Sequence, residues 1–268
     1  IDCSHGAAYK VAPRVLTELG AEIVPIGCSP NGKNINDGCG STNPDLLRVT
    51  VKAVGADLGV ALDGDGDRLL MVDHTGALVD GDQLLYLLAH ARHAAGELPG
   101  PVVGTLMSNL GLERALVKLG IDFLRANVGD RYVLETLRSH GGVLGGETSG
   151  HLLCLDKTTT GDGLISALQV LSVIAASGRP LADLVEPMAH FPQTLVNVRT
   201  PVKIDLQAAA VQSAIATAEG GLGERGRILV RASGTEPVIR VMVEGEDLGE
   251  VDAIAASLAA QIEAIAAD

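Results

Sequence analysis

Parts of this 268-residue chain repeat one another, and that repeat limits the folds open to it. Residues Arg14 to Val24 resemble Arg114 to Leu124, with Leu16, Leu19 and Gly20 answered by Leu116, Leu119 and Gly120. Each stretch predicts an amphipathic helix stopped by glycine and followed by a strand. Further on, Asp63, Gly66 and Asp67 align with Glu147, Gly150 and His151 at a constant offset of 84. Both of these sit between apolar runs, so each predicts strand, tight loop, strand. Gly81-Asp82 and Gly161-Asp162 then open helices, from Leu84 to about Arg92 and from Leu164 to about Ala176, with the aspartate suited to the helix N-terminus. The expected fold is α/β: two tandem related α/β units with mixed sheets, residues 1–79 and 80–188, followed by a small C-terminal α+β domain, 189–268. In that last part Phe191-Pro192 and Thr200-Pro201 punctuate the chain. Leu206–Ala218 reads as a helix, Gly226–Val230 and Val238–Val243 as strands, and Val251–Ala267 as an alanine-rich helix.

The first loop, Asp63-Gly64-Asp65-Gly66-Asp67-Arg68, places three carboxylates at alternating positions with glycine between them. Like charges this close repel, so a cation belongs among them. Oxygen ligands without Cys or His nearby point to Mg²⁺ or a similar hard ion, held by Asp63, Asp65 and Asp67. A calcium loop of the EF-hand kind fits the first three ligand positions. It then fails, because Arg68 stands where glycine is needed and His74 where the bidentate Glu is needed. Arg68 offsets part of the remaining negative charge, which suits a site that handles phosphate.

Two further loops carry chemistry. In Gly146–His151, Glu147 accepts from hydroxyls, Ser149 donates and accepts, and His151 transfers or orients a proton. The plain alternative is a polar hairpin turn. Arg231-Ala232-Ser233-Gly234-Thr235-Glu236-Pro237 combines a forked donor, two hydroxyls and a glycine, the chemistry of a phosphate nest, with Arg240 on the next strand. The alternative there is an ordinary Ser-Gly turn. A metal loop, a hydroxyl loop and a phosphate loop together imply a phosphosugar enzyme.

The bulk numbers narrow the classes. Hydrophobic residues make up 47% and aromatics only 2%, so Ala, Val, Leu and Ile must build the core. A net charge of −13, with no basic run and no aromatics for base stacking, argues against nucleic acid. No apolar run reaches membrane-spanning length. Cys3, Cys28, Cys39 and Cys154 show no CxxC and no zinc spacing, which favours a reduced, cytoplasmic setting. Ile1-Asp2-Cys3 reads as the end of a strand already under way, so the expectation is a fragment of a longer protein.

The three loops, in this order, resemble the signature loops of the α-D-phosphohexomutase superfamily. Other stretches resemble its glucosamine branch: Pro30–Asn36, Gly104–Asn109, Val128–Tyr132 and Asp156–Asp162. The resemblance covers essentially the whole chain. It implies three related α/β units and a smaller fourth domain, of which this chain supplies the last two units and the small domain. It implies interconversion of glucosamine 6-phosphate and glucosamine 1-phosphate through a phosphoserine and a bisphosphate intermediate, with Mg²⁺ as cofactor. Asp63, Asp65 and Asp67 would hold the metal, with Arg68 and His151 near the chemistry. Glu147 and Ser149 would hold the sugar. Arg231, Ser233, Gly234, Thr235 and Arg240 would hold the phosphate that is not reacting. Asp130 and Arg131 are weaker candidates, equally readable as a helix start with a surface ion pair. The Ser-His-Asn-Pro type motif of the phosphorylated serine does not occur here; Ser4-His5 is followed by Gly6 and is a different motif. The expected partners are a phosphosugar and the N-terminal domain of the same enzyme, and the chain alone is expected to be inactive. Two other readings stay open, a phosphomannomutase or phosphoglucomutase, and a non-catalytic phosphosugar-binding module.

Overall fold

The computed structural model describes residues 1–200, 205–233 and 238–267. The chain opens with α1 (Val11–Glu18) and α2 (Asp45–Val54), then a hairpin of β1 (Leu58–Leu62) and β2 (Leu69–Asp73) with a short β3 (Leu78–Val79) beside it. Leu62 lies opposite Leu69, so residues 63–68 form the whole turn of that hairpin. On the other side of β1, Asp2 bridges Ala61 and Ile26, both in parallel.

Next come α3 (Gly81–Ala95), β4 (Val102–Thr105), α4 (Leu110–Lys118), β5 (Phe123–Ala126), α5 (Asp130–His140), β6 (Leu144–Gly146), β7 (Leu152–Cys154), α6 (Gly163–Ser177) and α7 (Leu181–Val185). The sheet order is β5-β4-β6-β7. β4 runs parallel to β5 and β6, and β6 antiparallel to β7. Ile26, Asp2, β1 and β2 follow the same order with the same senses, so the sequence repeat is a repeat of topology.

One expectation needs correction. The strand expected at Ile23–Val24 does not form. Ile26 closes a single rung there, donating to Ile1 O and accepting from Cys3 N–H, and the Ile1 amine donates to Val24 O at 2.9 Å. Asp82 stands in the first turn of α3, as expected, and the residue before Gly81 caps the helix: the Asp80 carboxylate accepts from Gln83 N–H at 3.0 Å, and the Gln83 side chain accepts from Asp80 N–H at 3.2 Å. Asp162 does cap α6, accepting from Ile165 N–H at 2.9 Å. Asp82 is fully buried in the first turn of α3, where it accepts from the Thr148 hydroxyl at 2.7 Å.

α3 explains why the two repeats do not separate. Leu84 to Ala89 are all buried, so this helix is apolar around its circumference and needs neighbours on every side. Leu62, Leu69 and Met71 from the first repeat and Val102, Leu144 and Leu152 from the second gather into one core with it. Each fully buried leucine there contributes about 1.5–3 kcal/mol relative to exposure.

The chain divides into two compact units, 1–108 with 112–189, and 109–111 with 190–268. The second contains β8 (Gln193–Arg199), α8 (Ala209–Leu222), β9 (Gly226–Ala232), β10 (Val238–Gly245) and α9 (Leu248–Ala267). Its antiparallel sheet has the order β8-β10-β9. α9 lays Val251, Ala255, Leu258 and Ile262 on Val241 and Val243 of β10. β8 was not foreseen; its exposed residues alternate with half-buried ones and with the buried Val198.

Candidate functional site

The acidic loop leaves β1 from a buried position and reaches solvent within two residues. Asp63 is 5% exposed, Asp67 is half-buried and Asp65 is exposed. One oxygen from each carboxylate lies within 4.8 Å of the others. Gly66, at φ +79, makes the turn and donates its N–H to Asp63 O at 3.2 Å. The crowding shows in the proton affinity of Asp63. Burial first, then a hydrogen bond with Asp65 and the charges of Asp67 and Asp65, push its carboxyl up from 3.8 to about 6. The Arg68 N–H, donating to Asp63 Oδ1 at 3.0 Å, works against that rise. The Arg68 guanidinium stands 4.0 Å from Asp63 and 3.9 Å from Asp67, too far for a hydrogen bond, and is half exposed. It leans over the cluster and stays open to an incoming anion.

The second loop lies directly against the first. Arg68 and His151 form an antiparallel bridge, and Leu69 N–H donates to Gly150 O at 2.9 Å. His151 is buried at 5% exposed, with Nδ1 3.1 Å from Asp67 Oδ2. Its Nε2 is buried without a partner among the described residues. The imidazole is therefore attached to one of the three carboxylates. Glu147 is half-buried; Oε1 accepts from Gly129 N–H at 2.8 Å, and Oε2 lies 3.4 Å from the exposed Ser149 hydroxyl. Asp130 begins α5, where it accepts from Arg131 N–H, and Arg131 pairs with Glu135 one turn on at 2.9 Å.

Two contacts here were not anticipated, Gly129 to Glu147 and Thr148 to Asp82. Neither has a sequence signal, since Gly81-Asp82 reads as an ordinary helix start.

In the other unit, Arg231 on β9 lies directly opposite Arg240 on β10. Both are half-buried, and the Nε of each is buried without a partner among the described residues. Burial, and then the neighbouring Arg240 charge, lower the Arg231 pKa. Like charges facing each other across a ladder are unfavourable unless an anion joins them. Ser233 N–H donates to Val238 O at 2.8 Å at the mouth of this hairpin. Gly234 and Thr235 lie outside the described residues.

Comparison with known proteins accounts for the tandem α/β units and the small domain after them. Residues 1–76 match "Phosphoglucomutase/phosphomannomutase, alpha/beta/alpha domain II", 80–191 match domain III of the same family, and 195–261 its C-terminal domain. The chain belongs to the phosphoglucomutase/phosphomannomutase family. It is 57% identical over 263 residues to a phosphoglucosamine mutase of Methylococcus capsulatus, covering 98% of this chain and 59% of that protein. It is also 57% identical over 264 residues to one of Aeromonas salmonicida, covering 98% and 60%. The chain thus spans about three-fifths of the length of these relatives. Among solved structures, a phosphoglucomutase/phosphomannomutase family protein of Burkholderia thailandensis shares the fold at TM-score 0.80 and 24% identity, covering 98% of this chain and 59% of that one. An N-acetylphosphoglucosamine mutase of Aspergillus fumigatus, solved with GlcNAc-6P and magnesium, shares it at TM-score 0.80 and 21% identity, covering 99% and 61%. No helix among the described residues is long and apolar enough to cross a membrane.

Proposed function

We propose that this chain supplies the metal, sugar and phosphate loops of a phosphoglucosamine mutase, interconverting glucosamine 6-phosphate and glucosamine 1-phosphate through a phosphoserine and a bisphosphate intermediate. The observation that carries this reading is the 57% identity to proteins of that name along 98% of the chain. The acidic cluster supports the metal. Three carboxylates converge without sulfur or imidazole among the ligand atoms, and burial together with the neighbouring Asp65 and Asp67 raises the Asp63 pKa to about 6. That donor set fits Mg²⁺, held by Asp63, Asp65 and Asp67. When bound, Mg²⁺ supplies positive charge against the phosphoryl oxygens.

The remaining roles fall to this chain's own side chains. Arg68 balances charge beside the transferring phosphoryl group. His151 orients Asp67 through Nδ1 and is close enough to the chemistry to handle a proton. Glu147 presents its second oxygen, and Ser149 its exposed hydroxyl, to sugar hydroxyls. Arg231 and Arg240, with Ser233, Gly234 and Thr235, hold the phosphate that is not reacting. The described thiols are free, in keeping with a cytoplasmic setting. No Ser-His-Asn-Pro type stretch occurs in the 268 residues, so in this reading the phosphoserine comes from a domain outside them, and the chain alone does not turn over.

The test joins this chain to the N-terminal domain of the Methylococcus relative. Steady-state rates are then compared on glucosamine, mannose and glucose 6-phosphates. A preference of about tenfold or more for glucosamine 6-phosphate in kcat/KM is expected, with no turnover by the chain alone. A preference for mannose or glucose phosphate refutes the substrate assignment, and turnover by the chain alone refutes the assignment of the nucleophile.

A further inference from the structure

The segment Asp2–Ala7 has no part in the reading above, yet it holds the acidic loop where that loop leaves β1. Leu62 immediately precedes Asp63. Its N–H donates to Asp2 O at 2.9 Å, and its carbonyl accepts from the Ser4 hydroxyl at 2.9 Å. One residue past Asp63, Gly64 O accepts from Ala7 N–H at 2.8 Å. Gly6 lies so close that a Cβ there would strike the Gly64 backbone.

This arrangement requires an unusual backbone. Ser4 has φ +54 and His5 φ +50, two successive non-glycine residues in the left-handed region. Asn36, at φ +57, donates its N–H to Ser4 O at 3.0 Å. Beneath them is a carboxylate with 0% exposure: Asp2 Oδ1 accepts from Ser4 N–H at 2.9 Å and Oδ2 from Gly40 N–H at 2.8 Å. Ser4 is itself fully buried. Backbone strain of this kind persists where the surroundings over-determine it, and it clusters at working sites. A hairpin that only had to connect β1 to β2 does not call for it.

We propose that Ser4 is a positioning residue for the carboxylate cluster. Its hydroxyl on Leu62 O sets the direction in which Asp63 leaves β1, and the buried Asp2 carboxylate holds Ser4 in the left-handed conformation this requires. The proposal rests on reading Asp63, Asp65 and Asp67 as a cation site, and the experiment separates the two ideas.

The 268-residue chain is titrated with Mn²⁺, an ion suited to an all-oxygen site. Binding is followed by calorimetry and by loss of the free-ion paramagnetic resonance signal at 25 °C. The variants are Ser4→Ala, Ser4→Gly, Asp65→Asn, and Val133→Ala as a stability control in the core of the other repeat. Ser4→Ala and Ser4→Gly are expected to weaken Mn²⁺ binding about three- to tenfold, the worth of one hydrogen bond. Ser4→Gly is expected to melt higher than Ser4→Ala, because glycine takes a positive φ without strain. Val133→Ala is expected to melt lower than the wild type with unchanged Mn²⁺ affinity. If Asp65→Asn weakens binding but both Ser4 variants bind like the wild type, the positioning role is wrong and the cation site stands. Affinity that follows melting temperature across all variants, Val133→Ala included, makes Ser4 merely structural and overturns the proposal. A wild type that does not bind Mn²⁺, or an Asp65→Asn variant that binds equally well, overturns the cation reading and the proposal with it.

Discussion

Asp63 provides a test of the cation reading that needs no catalysis. Without a cation its carboxyl stands at about 6 rather than 3.8, chiefly through burial and then through Asp65 and Asp67. A carboxyl raised in the folded state binds its proton more tightly there than in the unfolded chain. Its contribution to stability is therefore gained as pH falls through 6 toward 3.8, and lost as pH rises through 6. Between pH 7 and pH 5 the gain from this one group is about 1.3 kcal/mol. That corresponds to about 3–5 °C in the melting temperature of a unit of this size. A bound cation reverses the slope, because it needs the carboxylate. Mg²⁺ at about a hundred times its Kd stabilises by about 2.7 kcal/mol, and that increment shrinks as pH falls below 6. Asp63→Asn removes both effects while the rest of the protein titrates as before. The assay is calorimetric melting of wild type and Asp63→Asn at pH 5, 6 and 7, in EDTA and in Mg²⁺. Two results would refute the reasoning: midpoints in EDTA that move in parallel for the two proteins, or an Mg²⁺ increment as large at pH 5 as at pH 7.

Asp65→Asn, at an exposed position, should leave the fold intact and weaken Mg²⁺ binding by about an order of magnitude in a calorimetric titration; its melting point in EDTA should be no lower than wild type, since one repulsive charge is gone. Gly150→Ala should destabilise by about 2–4 kcal/mol in denaturant melts, because Gly150 has φ +93 and a Cβ there would collide with Leu69 O. Arg231→Lys, in the chain joined to a phosphoserine domain, should cost about 1.5–3 kcal/mol in KM in both reaction directions without loss of fold; near wild-type KM would mean that Arg231 does not grip a phosphate.

The elements that could be read from sequence are those whose local pattern and tertiary surroundings agree. The acidic loop is bounded by residues that pair as Leu62 with Leu69, and the apolar runs on either side are the two strands. The helix of Arg14–Leu19 and its counterpart at Arg114–Leu119 both appear, because their glycines and apolar spacing are local signals. Ile23–Val24 misled, because a strand needs a ladder of partners, and among the described residues the ladder there is the single rung at Ile26. Asp82 stands in the first turn of α3, as its sequence position indicates, but its inward partner was not legible. The capping pattern Asp80-x-x-Gln83 sits two residues earlier, and Asp82 turns inward to Thr148, 66 positions away. The left-handed backbone at Ser4 and His5 has no sequence signal at all, since no glycine or asparagine occupies either position. At the candidate site the carboxylates were legible as a motif. Their link to His151 depends on how two hairpins meet, and no stretch of sequence encodes that alone.

That meeting follows a rule of symmetry. Asp67 and His151 are equivalent positions in the repeat, 84 residues apart, and they bond to each other. Arg68 and His151 bridge, and Leu69 N–H reaches Gly150 O. The helix starts cross over in the same way. Gly81 N–H, opening the helix after the first hairpin, donates to Thr148 O of the second loop at 3.0 Å. Gly163 N–H, opening the helix after the second hairpin, donates to Gly66 O of the first loop at 2.8 Å. Two copies of one unit that present the same surface to each other make reciprocal contacts, as the halves of a twofold dimer do. A fused pair can then specialise its two loops separately. Here one copy keeps carboxylates at Asp63 and Asp67, and the other carries Glu147 and His151 at the same places. The contact between these equivalent positions joins a carboxylate to an imidazole, Asp67 Oδ2 to His151 Nδ1 at 3.1 Å. The same packing that buries α3 between the repeats therefore fixes the distance between the two loops, and neither can shift without breaking hydrogen bonds made by the other.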